Sequence, residues 1–213
     1  MNYSKYSDLE LFRGLDNTEI KQVCDCFGIT VGEYDKGEGV VYQGERLSHF
    51  MVVLEGTANS YKTDIHGKWF TVSVINRGGY IGAFLAGDSS RTSPVAVTAQ
   101  SKLTVLFVPF DKVVQQCERN CKAHTKVTAN FIAGISAKAM LLFERIDCLI
   151  KPTIREKVMA YLSQFGCSQV QVPFDREGLA EYLNVERSAL SRELSKMKKD
   201  ELIDYNKNNF TIL

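Results

Sequence analysis

Apolar residues follow two rhythms along this chain. From residue 28 to residue 110, short β-branched and aromatic runs are punctuated by glycine turns, the texture of strands. Val40-Val41-Tyr42 stops at Gly44, and Met51-Val52-Val53-Leu54 stops at Glu55-Gly56. Residues 57–62 turn through Asp64-Ile65-His66-Gly67 into 68–75, and Arg77-Gly78-Gly79 breaks the pattern before runs at 80–85, 95–99 and 103–108. Strands so short and so evenly spaced predict a sandwich, roll or barrel. Ahead of them, Asp16-Asn17-Thr18-Glu19 predicts the N-cap of a short helix carrying Ile20, Val23, Cys24 and Phe27 on one face.

Residues 111–150 hold no proline and no alternation, and the rhythm turns helical. Thr128, Ile132, Ile135, Ala139, Leu142, Ile146 and Leu149 recur at steps of 4, 3, 4, 3, 4 and 3. That spacing suits the seam of a two-helix coiled coil, and equally a core helix lying on its own domain. Phe131 and Leu141 lie off the stripe, so the helix has a second surface to pack against. Lys151-Pro152 ends it, because the residue before proline is driven out of the α region. Thr153-Ile154-Arg155-Glu156 then restarts a helix with capping-box spacing, which puts a domain boundary at Lys151.

Beyond a short extended piece at 170–173, Asp175 is placed to cap a helix with Leu179, Ala180 and Leu183 on its inner face. The tight connection Leu183-Asn184-Val185 leads to a second helix from about Arg187, with Leu190, Leu194 and Met197 as its buried stripe. Its other side shows Arg187, Ser188, Ser191, Arg192, Ser195, Lys196 and Lys199. Two short helices across so tight a turn predict a helix-turn-helix, whose second helix lies in the DNA major groove. Arginine forks match guanine or phosphate, and serine hydroxyls accept or donate. Residues 202–205 and 210–213, joined at Asn206-Lys207-Asn208-Asn209, predict a hairpin wing.

Composition narrows the classes without choosing among them. The 213 residues carry 26 Lys+Arg against 25 Asp+Glu, so the net charge of +1 offers no whole-chain argument for nucleic acid. Between Glu186 and Lys199, however, five basic residues face two acidic ones. A solvated basic face is the plain reading of such a run; the cap, turn and buried stripe beside it favour a DNA-reading helix. No run reaches the ~18 consecutive apolar residues of a membrane helix, and the first eleven residues lack a signal peptide's basic start and apolar stretch. A cytoplasmic chain with reduced thiols is expected, the six cysteines including no CxxC pair.

Taken together, the segments Tyr34-Asp35-Lys36-Gly37-Glu38, 39–44, 52–56, 77–82 and 179–194 resemble the CRP/FNR family of bacterial transcription regulators over essentially the full length. The most specific stretch is Leu183-Asn184-Val185-Glu186-Arg187-Ser188-Ala189-Leu190-Ser191-Arg192. The resemblance implies an α+β fold: a cyclic-nucleotide-binding-like β-roll of double-stranded jelly-roll type (1–118), a dimerisation helix (119–150) and a winged helix-turn-helix (151–213). It also implies a homodimer on palindromic double-stranded DNA, RNA polymerase as partner, and no enzymatic activity. Ile132, Ile135, Ala139, Leu142 and Ile146 become the seam. DNA contacts fall to Arg187, Ser188, Ser191, Arg192, Lys196 and Lys199. An effector pocket falls to Tyr80, Gly82, Ala83, Phe84, Leu85, Arg91, Thr92 and Ser93.

Two departures shape that pocket. The family's cyclic-nucleotide members carry a glutamate after an aromatic-Ile-Gly; here Tyr80-Ile81-Gly82 is followed by Ala83. Their phosphate arginine falls here at Ser93-Pro94, with Arg91 two residues away. Without those groups a buried ribose and phosphate lose their partners, so a small effector other than cyclic AMP is expected, anionic or partly apolar. A filled roll with no effector is the alternative. The family often has a glutamate where Ser188 stands, so the DNA targets of its known members do not transfer.

Other chemistry is weaker. Cys24-Asp25-Cys26 turns its thiols ~200° apart on a helix, unlike the clustered cysteines of the family's iron–sulfur members. Cys117, Cys121 and His124 share a face at i, i+4 and i+7, a metal or thiol sensor set against plain core packing. His49 and Glu55 distantly echo a cupin metal motif, but Met51 stands where its second histidine belongs. That leaves a cupin-like metal enzyme, or a dimeric binding module without DNA binding, as rivals. His66 reads as a solvated loop residue and Trp69 as a core or interface aromatic. No metal site and no cofactor is expected.

Overall fold

The computed structural model describes residues 3–63, 69–115 and 121–213, the side chains of Trp69 and Phe70 excepted. The turn expected at Asp64–Gly67 with His66, the Trp69 side chain, and Cys117 lie outside the described residues. The chain divides into two compact units, Met1–Ser136 and Ala137–Leu213.

In the first unit the capping signal does what its chemistry requires. The Asp16 carboxylate accepts from the amides of Thr18 and Glu19 while Glu19 accepts from the Asp16 amide, opening α1 (Asn17–Phe27). Left-handed Gly28 closes it (φ 66°) and lets the chain enter β1 (Thr30–Tyr34). Two four-stranded antiparallel sheets follow. One has the order β1-β8-β3-β6, with β3 at His49–Glu55, β6 at Tyr80–Ile81 and β8 at Leu103–Pro109. The other has the order β2-β7-β4-β5, with β2 at Gly39–Val41, β4 at Ala58–Thr63, β5 at Trp69–Ile75 and β7 at Ala96–Ala99. β3 reads as a continuous apolar run because it sits between β8 and β6 with nearly every side chain buried. Burying Phe50, Val52, Val105, Leu106 and their neighbours drives this unit's folding at ~25 cal/mol per Å² of apolar surface.

The run read as one strand at 80–85 instead breaks after Ile81. Gly82 takes φ 74° and a 3-10 turn occupies Ala83–Gly87. A Cβ at Gly82 would stand 2.9 Å from Leu47 Cδ1, so the residue that approaches this glycine closely is Leu47.

After the short α2 (Phe110–Val114), α3 (Lys122–Ile150) gives its N-terminal half to the roll. Val127 and Phe131 are buried there, Phe131 against Phe50 (4.7 Å between centroids) and Tyr80 (6.1 Å). Asn130 Nδ2 donates to the carbonyls of Leu11 and Arg13, tying the N-terminal segment to the helix.

The second unit begins within α3, which stops at Ile150 ahead of Pro152. The Thr153–Glu156 capping box forms and starts α4 (Ile154–Ser163). Next come β9 (Gln169–Gln171), α5 (Arg176–Tyr182), α6 (Arg187–Lys199), β10 (Ile203–Asn206) and β11 (Asn209–Ile212). The expected hairpin is present, but it is part of a three-stranded sheet of order β10-β11-β9. The extended piece before α5 is thereby explained. Val158, Leu162, Leu179, Leu190, Leu194, Met197, Ile203 and Phe210 share one core.

Candidate nucleic-acid interface and effector pocket

Asp175 caps α5 by accepting from the Gly178 amide. Asn184 turns the chain at φ 49°, a left-handed position that asparagine tolerates. The far end of α5 is held by two cations: Arg145 donates from Nε to the Tyr182 carbonyl and stacks on the Tyr182 ring, and Lys157 Nζ donates to the Leu183 carbonyl. Cations at a helix C-terminus satisfy both its open carbonyls and its dipole. Neither contact was legible in the sequence, because the partners lie 26 to 37 residues apart.

The reading helix α6 buries Leu190, Leu194 and Met197 completely and turns its polar side outward. Arg187, Ser188, Arg192, Lys196 and Lys199 are exposed and Ser191 is half-buried, so the structure brings all six predicted contacts to one helix. Their hydrogen bonds are more specific than the sequence suggests. Ser191 and Ser195 donate back to the carbonyls of Arg187 and Ser191, and Ser188 donates to Glu186. Hydroxyls expected to accept or donate have thus spent their protons within the helix and present lone pairs. Arg192 Nε donates to the Ser188 carbonyl at 3.3 Å.

Glu186 is the residue sequence reasoning passed over, counted only as one of two acidic positions. It is the N-cap of α6, accepting from the Ala189 amide at 2.7 Å as well as from Ser188. The Ser188 hydroxyl above all, then the first-turn amides, holds its carboxyl down to about 2. The other acidic residue, Glu193, is paired with Arg155 of α4 at 2.8 Å, and Arg155 also reaches Asp200. Glu193 also stands 4.0 Å from the exposed Lys196.

At the predicted effector pocket, residues 91–93 are pinned beside 44–47. The Leu47 amide donates to the Arg91 carbonyl, Ser93 to Glu45, and Gly44 to Ser93, while Arg46 and Thr92 form an isolated bridge. Tyr80, Ala83 and Leu85 are buried, while Phe84 is 52% exposed. Arg91, at φ 50°, donates from Nη2 to Asp111 at 2.6 Å and lies 5.1 Å over the Phe110 ring. That hydrogen bond from Arg91 keeps the Asp111 carboxyl below the ordinary carboxylate range. The Ser93 hydroxyl is buried and donates to the Val95 carbonyl. Arg91 thus already has an anion in Asp111.

Along α3, Ile132, Leu142 and Ile146 are 59%, 52% and 51% exposed, and Ala139 is exposed too. Ile135 is half-buried and packs on the roll core. His124 is buried edge-on to Phe27, and among the described residues no three metal-ligating side chains converge.

Residues 31–120 match the cyclic nucleotide-binding domain model, and residues 156–213 match the Crp-like helix-turn-helix domain model. Between them they take in most of the chain. The chain belongs to the CRP/FNR family. Solved structures of similar fold include the c-di-GMP-responsive global regulator CLP of Xanthomonas campestris, with a TM-score of 0.64 at 13% identity, covering 92% of this chain and 99% of that one. FixK2 of Bradyrhizobium japonicum gives 0.57 at 18% identity, covering 86% and 92%. The cAMP-dependent protein kinase regulatory subunit of Mycosarcoma maydis is 35% identical over 96 residues, 44% of this chain. The chain spans only 18% of that curated relative. As in other CRP/FNR regulators, a jelly-roll-like antiparallel domain, a long helix and a helix-turn-helix follow one another here.

Proposed function

We propose that this chain is a cytoplasmic, homodimeric, sequence-specific DNA-binding regulator that responds to a small effector other than cyclic AMP. The observation that carries the reading is α6, a buried apolar stripe with two arginines, three serines and two exposed lysines on the outward side. Laid in the major groove, Arg187 and Arg192 read base edges, while Lys196 and Lys199 hold phosphates. The domains follow the limits 1–118, 119–150 and 151–213, with RNA polymerase as a protein partner.

Dimerisation falls to Ile132, Ala139, Leu142 and Ile146 with an edge of Ile135. Such a row left in water is an interaction surface, and a second copy of the same heptad row covers it in kind. By length and composition α3 also suits a membrane span. The burial of Val127 and Phe131 in the roll core favours the seam.

For the effector, Ala83 in the glutamate slot and the Arg91–Asp111 pair argue against a ribose phosphate. The likeness to a cAMP-dependent kinase subunit favours the opposite reading, that a cyclic nucleotide still binds. Calorimetric titration separates them: a micromolar cyclic AMP constant abolished by Arg91→Ala supports the second, and no heat supports the first. Selection of bound fragments from a random duplex pool at low salt, with and without cell extract, tests the DNA reading. An enriched palindrome is expected, and its absence in both conditions overturns it.

A further inference from the structure

At the start of α6, polar groups of four residues form one connected arrangement. Glu186 Oε2 accepts from the Ser188 hydroxyl and from the Ala189 amide, and the Ser188 carbonyl accepts from Arg192 Nε. Both of these contacts use the same carboxylate oxygen of Glu186. Glu186, Ser188 and Arg192 are all exposed. The hydroxyl proton of Ser188 is committed, leaving that residue a lone pair. The first turn therefore offers two acceptors side by side, with a guanidinium one turn further along.

We infer that Glu186 is a specificity-determining residue of the DNA-reading surface, selecting a base that presents an exocyclic amino group and disfavouring one that presents only acceptors at that position. The inference rests on the DNA-binding reading above. Cytosine N4 and adenine N6 are the major-groove donors, and a carboxylate accepts from cytosine most simply. Guanine O6/N7 and thymine O4 would face a fixed negative charge. The amides of the first helical turn, a ready anion site in other helices, are here already serving a carboxylate of the chain itself, which also works against a backbone phosphate at this end. Because the carboxyl stays ionised far below neutral pH, the selection does not depend on pH in the physiological range.

Capping and reading separate by substitution. Serine is as good an N-cap as a carboxylate, so Glu186→Ser keeps the helix start while removing the charge. Glu186→Gln keeps the shape and adds a donor. The palindrome recovered by the wild-type chain is resynthesised with every single base-pair change in its half-site and titrated with all three proteins. At one half-site position the wild type is expected to prefer cytosine or adenine about tenfold. In Glu186→Ser the preference should fall to within twofold and affinity for unrelated duplexes should rise, with an unchanged thermal midpoint. Glu186→Gln should shift the preference toward adenine, for which glutamine is a two-point partner. Unchanged preferences at every position in Glu186→Ser would overturn the inference alone, leaving Glu186 a cap. Failure of the wild type to enrich any duplex would overturn it together with the reading on which it rests.

Discussion

Gly134 of α3 lies so close to Tyr80 of β6 that a Cβ on the glycine would stand 2.7 Å from the ring Cε2. Tyr80 belongs to the predicted effector pocket, and its hydroxyl is pushed up to about 12 chiefly by burial. Gly134 sits one residue from Ile135 of the predicted seam. The pair is thus a direct contact between pocket wall and helix. Alanine at 134 gains roughly 1 kcal/mol of helix propensity, but overpacking costs about 1–3 kcal/mol. Gly134→Ala should therefore lower the denaturation midpoint. In a Tyr80→Ala background the same change should raise it, and that reversal of sign checks the contact.

The Arg91–Asp111 pair has a pH signature. Asp111 is held below its ordinary carboxylate range by Arg91, so the pair's contribution is present above that range and is lost as pH falls through the lowered value. Titration of the Asp111 carboxyl by NMR should show it below ~3.9, returning there in Arg91→Ala. An anion that binds at Arg91 should raise the Asp111 value in the same way, which gives a direct assay for candidate effectors.

Leu142→Glu tests the seam more cleanly than a charge at Ile135, which also packs on the roll. A charge buried without a partner should weaken dimerisation by about 3 kcal/mol, roughly a hundredfold. Sedimentation should show a monomer of unchanged thermal stability. A mutant that remains dimeric would remove α3 from the interface.

Much of this architecture was legible because its signals are local. Asp16-x-x-Glu19 and Thr153-x-x-Glu156 mark helix starts within four residues, and Pro152 ends α3 by a steric rule that needs no partner. What escaped depends on distance along the chain or on competition between good rules. The Arg145 clamp on α5 and the Arg155–Glu193 pair join residues far apart in sequence. β9 was visible as extended but not as a third strand of the wing. The break at Gly82 was hidden because apolar residues continue through Phe84 and Leu85, a strand-like run that ends only because the backbone turns left-handed. On α6 the exposed polar face was legible from its spacing, yet which hydroxyls still had protons to give was decided by Glu186 and the helix carbonyls.

The most direct test of the account is a titration of the enriched palindrome and of a scrambled duplex of equal composition across a salt series. The palindrome should bind at least about a thousandfold more tightly at physiological salt, with half-sites about one helical turn apart. Arg192→Ala should lose about 1–3 kcal/mol on the palindrome alone, whereas Lys196→Ala should weaken both duplexes and flatten the salt slope by about one. Equal affinity for the two duplexes, with the same salt slope in every variant, would contradict the claim that this chain reads DNA sequence.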